Sequence, residues 1–232
     1  MTPTTSVSLP SPAALVFDLD GTLVDSHAGI AASVRHTLST FGFPEPAPEV
    51  LRVALSMGLR PLLATLTGET EPARIETYAE TYLAHYERTM IETSPPLPGV
   101  PEMLEGLAAR GLPLAVLTNK SERNARRIVE ARFGRERFRT LVGLVAGRPQ
   151  KPDPAGARLV LEQLGVHAAS SWLVGDSVLD VRTARNAAMV AIGVTWGIDE
   201  SLHDALADAD RVASRPEALV RFVDEALAPG AG

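Results

Sequence analysis

The sequence predicts an α/β fold, with a three-layer core built on a mostly parallel sheet and a separate all-helical domain inserted near its start. Three observations carry this expectation. Short apolar runs recur along the chain, helical periods separate them, and the stretch 27–94 breaks the alternation.

Residues 1–12 are rich in Ser, Thr and Pro and carry no charged side chain, which predicts a disordered tail. Ala13 to Phe17 is an apolar run that stops abruptly at Asp18, the pattern of a buried strand delivering carboxylates into a turn. Similar runs follow at Leu112 to Leu117, Leu141 to Val145, Ser171 to Val174 and Met189 to Val194. Between the second and third, Ser121 is placed to cap a helix with Ala125, Ile128, Val129 and Phe133 on its apolar face and Gly134 as its stop. A further helix, Pro154 to Leu164, buries Ala157, Val160, Leu161 and Leu164 and closes at Gly165. Strands alternating with helices of this length imply right-handed crossovers and a Rossmann-like core, in which ligands bind beyond the carboxyl ends of the strands.

The stretch 27–94 reads differently. Helical periods run through Ala31, Val34, Leu38 and Phe41, through Leu55, Leu59, Leu62 and Leu66, and through Ile75, Tyr78, Tyr82, Tyr86 and Met90, with no convincing strand between them. The proline-rich Ser94 to Gly99 reads as the return hinge. The expected organisation is therefore a core from 13–26 and 95–232 and a helical cap from 27–94. The three tyrosines are assigned to the bundle core rather than to a ligand box.

Composition narrows the function. The 232 residues hold 28 acidic and 22 Lys+Arg side chains, a net charge of -6, which argues against a partner made of nucleic acid. The hydrophobic share of 45% is enough for a sizeable core and excludes disorder of the whole chain. No cysteine is present, so disulfides, thiolate metal sites and a cysteine nucleophile are excluded. The first residues show no basic segment followed by an apolar one, and Ala187 to Ile198 is too short to span a bilayer. No membrane partner, a cytoplasmic location and a monomer or homodimer are the expectations.

Four short pieces fall where the pattern puts strand ends or the loops beside them: Asp18-Leu19-Asp20-Gly21-Thr22, Thr118-Asn119, Lys151-Pro152-Asp153-Pro154 and Gly175-Asp176-Ser177-Val178-Leu179-Asp180. Each has an ordinary structural reading. Asp and Gly favour turns, Thr-Asn caps helices, a lysine before proline is usually solvated, and an acid at 180 suits the first turn of a helix. Together they bring carboxylates, an ammonium, a hydroxyl and backbone amides to one sheet edge. That mixture suits an oxygen-ligated Mg2+ and a phosphoryl group, because hard cations prefer oxygen and a phosphoryl group needs cationic and N–H partners.

With these four motifs in this order, the chain resembles the haloacid-dehalogenase-like hydrolase superfamily from about residue 13 onward. The segment Phe17 to Ser26, the helical insertion and Gly193-Val194-Thr195-Trp196-Gly197 are similar to the phosphoglycolate-phosphatase-like branch. The resemblance implies a phosphatase for a small phosphorylated metabolite, with phosphoglycolate the leading guess. It implies Asp18 as nucleophile, forming an aspartyl-phosphate, and Asp20 as the acid that protonates the leaving group and then deprotonates water. It implies Mg2+ held by Asp18, Asp176 and the backbone carbonyl of Asp20, with Asp180 holding the metal's waters or the lysine. Thr118 and Lys151 would act on the transferring phosphoryl group, with the amides of Asn119 and the Gly21-Thr22 turn contacting it.

Within the superfamily, an acid at 20 speaks against dehalogenases and phosphonate-cleaving relatives, and Thr22 tilts the acceptor toward water rather than a sugar hydroxyl. Two alternatives stand beside the phosphatase: a sugar phosphomutase or phosphotransferase, and a non-catalytic binding protein. Free phosphate against an isomeric sugar phosphate separates the first; a missing motif residue would mark the second. In the insertion, Gly58 and Arg60 are candidates for substrate recognition, with a surface arginine as the plainer reading of Arg60, and His27 is undecided. Where relatives carry Ala-Gly-Met, this chain has Ala187-Ala188-Met189, a departure expected at a helix end.

Overall fold

The computed structural model describes residues 9–48, 50–51, 58–197 and 206–228. The chain forms two compact units, one from residues 1–25 and 96–232 and one from 26–95.

The first unit holds a six-stranded sheet, all pairs parallel, in the order β3-β2-β1-β4-β5-β6. The strands are β1 Ala14–Phe17, β2 Leu114–Ser121, β3 Thr140–Leu144, β4 Ser171–Gly175, β5 Val190–Val194 and β6 Arg211–Ala213. The first five are the five apolar runs, fully buried along β1, β4 and β5 as a sheet covered on both faces requires. Strand order reverses at β1, so loops beyond β1, β2 and β4 lie next to one another, where such sheets hold ligands.

Alternation along the strands sorts the core. Val16, Ala115, Leu117, Val142, Leu173 and Ala191 form one cluster with Ala157, Val160 and Leu161 of one helix and Val181 and Ala184 of another. The period of two sends Leu15, Phe17, Val116, Trp172 and Ile192, all buried, to the other face.

In the second unit, α1 His27–Thr40, α2 Leu59–Thr67 and α3 Pro72–Thr89 are helices, and no strand occurs among its described residues. Val34 and Leu38 of α1, Leu62 and Leu63 of α2 and Tyr78, Tyr82 and Tyr86 of α3 are buried, and α3 packs against both partners. The tyrosines are core side chains, with the Tyr82 and Tyr86 rings stacked 5.7 Å apart. Phe41 sits past the end of α1, 37% exposed, against Tyr78. Leu55, Ser56 and Met57 lie outside the described residues.

The first unit adds α4 Val100–Ala109, α5 Glu122–Phe133, α6 Ala155–Leu164, α7 Val178–Asn186 and α8 Pro216–Leu227. Ser121 caps α5 by accepting the Asn124 N–H, and Gly165 ends α6 in the left-handed region. No described helix is long and apolar enough to cross a membrane.

The expected tail needs correction where it is described. Leu9 is buried, and the carbonyl of Pro10 accepts the indole N–H of Trp172 at 3.1 Å. A fully buried tryptophan needs an acceptor for that N–H, which ties residues 9–12 to the core. Residues 1–8 lie outside the described residues. At the other helix end singled out above, Ala188 has φ 57°, among the described residues the one non-glycine in the left-handed region.

Candidate active site

Asp18 leaves β1 with its N–H donated to the Val174 carbonyl of β4 at 2.9 Å. The turn behind it is tight. Leu23 and Val24 both donate N–H to the Leu19 carbonyl, at 2.9 and 3.0 Å, and Gly21 donates to the Val24 carbonyl at 2.9 Å. Gly21 has φ 81°, and a Cβ there would run into the Asp176 carboxylate, so glycine is required on both counts. Thr22 Oγ1 donates to Asp176 Oδ1 at 3.3 Å, and Trp196 Nε1 donates to the Thr22 carbonyl at 2.9 Å. The Gly193-to-Gly197 phrase thus braces the Asp18-to-Val24 turn from β5.

Beyond β4, Ser177 and Asp180 form a capping box that starts α7. Asp180 Oδ2 accepts the Ser177 N–H at 3.1 Å and the Ser177 hydroxyl at 2.5 Å. Its Oδ1 accepts Lys151 Nζ at 2.6 Å. The helix-start reading and the lysine-holding reading are therefore both realised, one on each oxygen. A Cβ at Gly175 would strike the Asp180 side chain, which is 2% exposed.

Lys151 is the hub. Its Nζ lies 2.8 Å from Asp18 Oδ1 and donates to the Leu117 carbonyl at 3.3 Å as well as to Asp180. The Asn119 carboxamide clips its main chain from both sides: Oδ1 accepts the Lys151 N–H at 2.7 Å, and Nδ2 donates to the Lys151 carbonyl at 3.2 Å. The Lys151-Pro152 bond is cis. The Asn119 side chain is thus spent on placing the lysine, a role that spacing in the sequence does not suggest because the partners lie 32 residues apart.

Thr118 is buried, and its Oγ1 accepts the Lys120 N–H at 3.2 Å. It does not cap α5, a role taken by Ser121 after β2 runs on past a register irregularity. One group was missed by sequence reasoning. Lys120 Nζ donates to both oxygens of Asp20, at 2.9 and 2.8 Å. The signal available was its place, a lysine immediately after Thr118-Asn119 at a strand end.

Oxygens of Asp18, Asp176 and Asp180 all lie within 4.8 Å of one another. Burial pushes the Asp18 carboxyl up to about 6, against the pull of Lys151 and with help from the Asp180 and Asp20 charges. Burial likewise pushes Asp176 well above the usual carboxylate range, with Asp18 and Asp180 adding to it. Burial alone would lower Lys151, but Asp18 and Asp180 outweigh it and hold the ammonium above its ordinary value. One ammonium stands against three clustered carboxylates, two of them buried. The remaining charge, the oxygen-only donor set and an Asp18 Oδ1 that receives no well-angled hydrogen bond fit a hard divalent cation.

Gly58 and Arg60 belong to the helical unit. Gly58, with φ 82°, precedes α2, and Arg60 is paired with Glu76 of α3 through two bonds of 2.7 Å. His27 is the exposed first residue of α1.

The chain is similar to known proteins over most of its length. Residues 15–194 match the family model described as haloacid dehalogenase-like hydrolase. A phosphoglycolate phosphatase of Agrobacterium fabrum is 36% identical over 197 residues, 82% of this chain and 83% of that one. An N-acetylmuramic acid 6-phosphate phosphatase of Pseudomonas aeruginosa is 30% identical over 216 residues, covering 92% and 96%. A solved haloacid dehalogenase-like hydrolase of Streptococcus pneumoniae superposes with a TM-score of 0.81 at 24% identity, over 91% of this chain and 98% of that one, which is a likeness of fold.

Proposed function

The chain belongs to the haloacid dehalogenase-like hydrolases and is a phosphoric monoester hydrolase, and from that premise we propose that it is an Mg2+-dependent phosphatase of a small phosphorylated metabolite, working through an aspartyl-phosphate on Asp18. The observation that carries the reading is the buried Asp18 carboxylate, paired with Lys151 at 2.8 Å and clustered with Asp176 and Asp180. Asp18 and Asp176 are the acids with coordinating capacity left, since both oxygens of Asp180 are engaged by Lys151 and Ser177.

In this reading Asp18 attacks phosphorus while the bond to the leaving oxygen breaks, and Asp20 gives that oxygen its proton. Asp20 then takes a proton from water as water attacks the same phosphorus and frees Asp18. Lys151, placed by Asn119 and Asp180, neutralises charge on Asp18 and on the phosphoryl oxygens. Thr118 and the amides of Asn119 and Thr22 bind those oxygens; the expected contact from Gly21 is corrected, because its N–H is given to the Val24 carbonyl. A bound Mg2+, held by Asp18, Asp176 and the Asp20 carbonyl, would supply further charge neutralisation. The helical unit supplies leaving-group recognition, with Gly58 and Arg60 as its candidates.

Phosphoglycolate is the leading substrate, supported by relatives of that name across most of the chain. The test is phosphate release from a panel of phosphorylated metabolites with Mg2+ and with EDTA, comparing kcat/KM. Phosphoglycolate should stand above the rest, and EDTA should abolish turnover reversibly. An isomeric phosphate ester in place of free phosphate, or turnover indifferent to EDTA, would overturn the reading.

A further inference from the structure

The two lysines of the site are divided between its two reacting acids. Lys151 serves Asp18, and Lys120, on a neighbouring strand end, serves Asp20. Lys120 holds both Asp20 oxygens, at 2.9 and 2.8 Å, with its side chain only 8% exposed against 26% for Asp20. A lysine prefers water and loses rotamer freedom when it is fixed, so a near-buried, two-pronged placement is one the fold specifies. The placement comes from the backbone. β1 and β2 are paired through Phe17 and Val116, which sets their outgoing ends side by side, and the Lys120 N–H is anchored on Thr118 Oγ1 at 3.2 Å.

We infer that Lys120 is the positioning residue for Asp20, fixing the plane and place of its carboxyl group for proton transfer at the leaving-group oxygen. The inference rests on the reading of Asp18 and Asp20 proposed above. An ammonium has three donors, so it can keep its bond to one Asp20 oxygen while the other carries the proton. In the first step that proton passes to the leaving alkoxide as its bond to phosphorus breaks, leaving Asp20 a carboxylate. In the second, the carboxylate takes a proton from water as the water oxygen bonds to phosphorus and the bond to Asp18 breaks. Lys120 itself neither gives nor takes a proton. A plain strut between two loops would share the contacts but not the chemistry.

The leaving group distinguishes the two. p-Nitrophenolate departs unprotonated, whereas an alkoxide needs its proton. The full chain with Mg2+ is assayed on p-nitrophenyl phosphate and β-glycerophosphate as Lys120→Met, Lys120→Arg and, for comparison, Asp20→Asn. Positioned proton transfer is worth about 10²–10⁴ in rate. Lys120→Met should therefore lower the single-turnover rate of leaving-group release, measured with enzyme in excess so that the later water step does not enter, by about 10- to 100-fold on β-glycerophosphate and by less than about threefold on p-nitrophenyl phosphate, with the half-saturating concentration nearly constant on both. Asp20→Asn should show the same bias more strongly, and Lys120→Arg should recover part of it. The ratio of the two rates is read within each variant, so a partly unfolded preparation does not disturb it. Equal losses of these single-turnover rates on the two substrates, a loss confined to the half-saturating concentration, or a bias in Asp20→Asn that Lys120→Met lacks would overturn the role of Lys120 and leave the phosphatase reading intact. A wild-type protein that releases phosphate from neither compound nor from phosphoglycolate would overturn both.

Discussion

The ion pairs described in the helical unit and the Lys151 cluster of the sheet unit do opposite things, although the sheet unit also carries exposed pairs such as Arg135 with Glu130. In the helical unit they are exposed: Arg60 with Glu76, Arg35 with Glu45 and Arg74 with Glu69 each have an arginine side chain about half or more in water. In the sheet unit, Lys151 is 5% exposed, on acids of 11% and 2%. Water screens the first set, which contributes little to stability. The second set is unfavourable to bury and strongly destabilising to break, because removing one member strands a charge in the interior. A chain keeps such a cluster where chemistry needs it, and the contrast locates the site independently of any motif.

The contrast can be broken in graded ways. Asp18→Asn should abolish turnover by orders of magnitude while circular dichroism shows an intact fold; near-native activity would remove Asp18 as nucleophile. Lys151→Met should cost about 3–5 kcal/mol in urea unfolding of the metal-free protein, the size expected for an uncompensated buried charge. A smaller change, with a sign set by the titration, concerns pH. The folded Asp18 carboxyl sits near 6 against 3.8 unfolded, so between those values the native state binds more protons and its stability falls as pH rises. In EDTA, the thermal advantage of Asp18→Asn over wild type should therefore grow from pH 4 to 7, and Mg2+ should reduce it at pH 7; a constant offset would contradict the burial argument. Ala188→Gly should add about 1 kcal/mol by relieving a left-handed φ of 57°, read by chemical denaturation. Least of all, Arg60→Gln should leave the melting temperature unchanged within measurement, as an exposed pair implies.

Much of this was legible because it is local. Five of six strands announce themselves as apolar runs, Ser121 and Gly165 act where capping chemistry puts them, and the four motifs fall in the outgoing ends of strands or in the loops beyond them. What escaped was either short or non-local. β6 is three residues with an exposed Val212 at its centre, too brief and too wet to show a buried pattern. The Asn119 clip on Lys151 and the Lys120 hold on Asp20 join residues 32 and 100 apart, and no spacing rule reaches so far. Asp180 was left between two readings that proved compatible, since a carboxylate has two oxygens and each took one partner. Pro10 was assigned to the tail because composition cannot show that an indole 162 residues later needs its carbonyl.

The junction of the two units has one last implication. Val24 and Pro96 bridge one another, and the Leu97 N–H is donated to the Leu23 carbonyl at 3.0 Å, so the chain leaves the sheet unit and re-enters it at adjoining points. Seventy intervening residues leave and rejoin the sheet unit at this seam. Such a seam makes the insertion exchangeable: a segment of other length or sequence, ending at the same two points, would leave every strand and every motif loop in place. Selectivity can drift there while the reaction stays put.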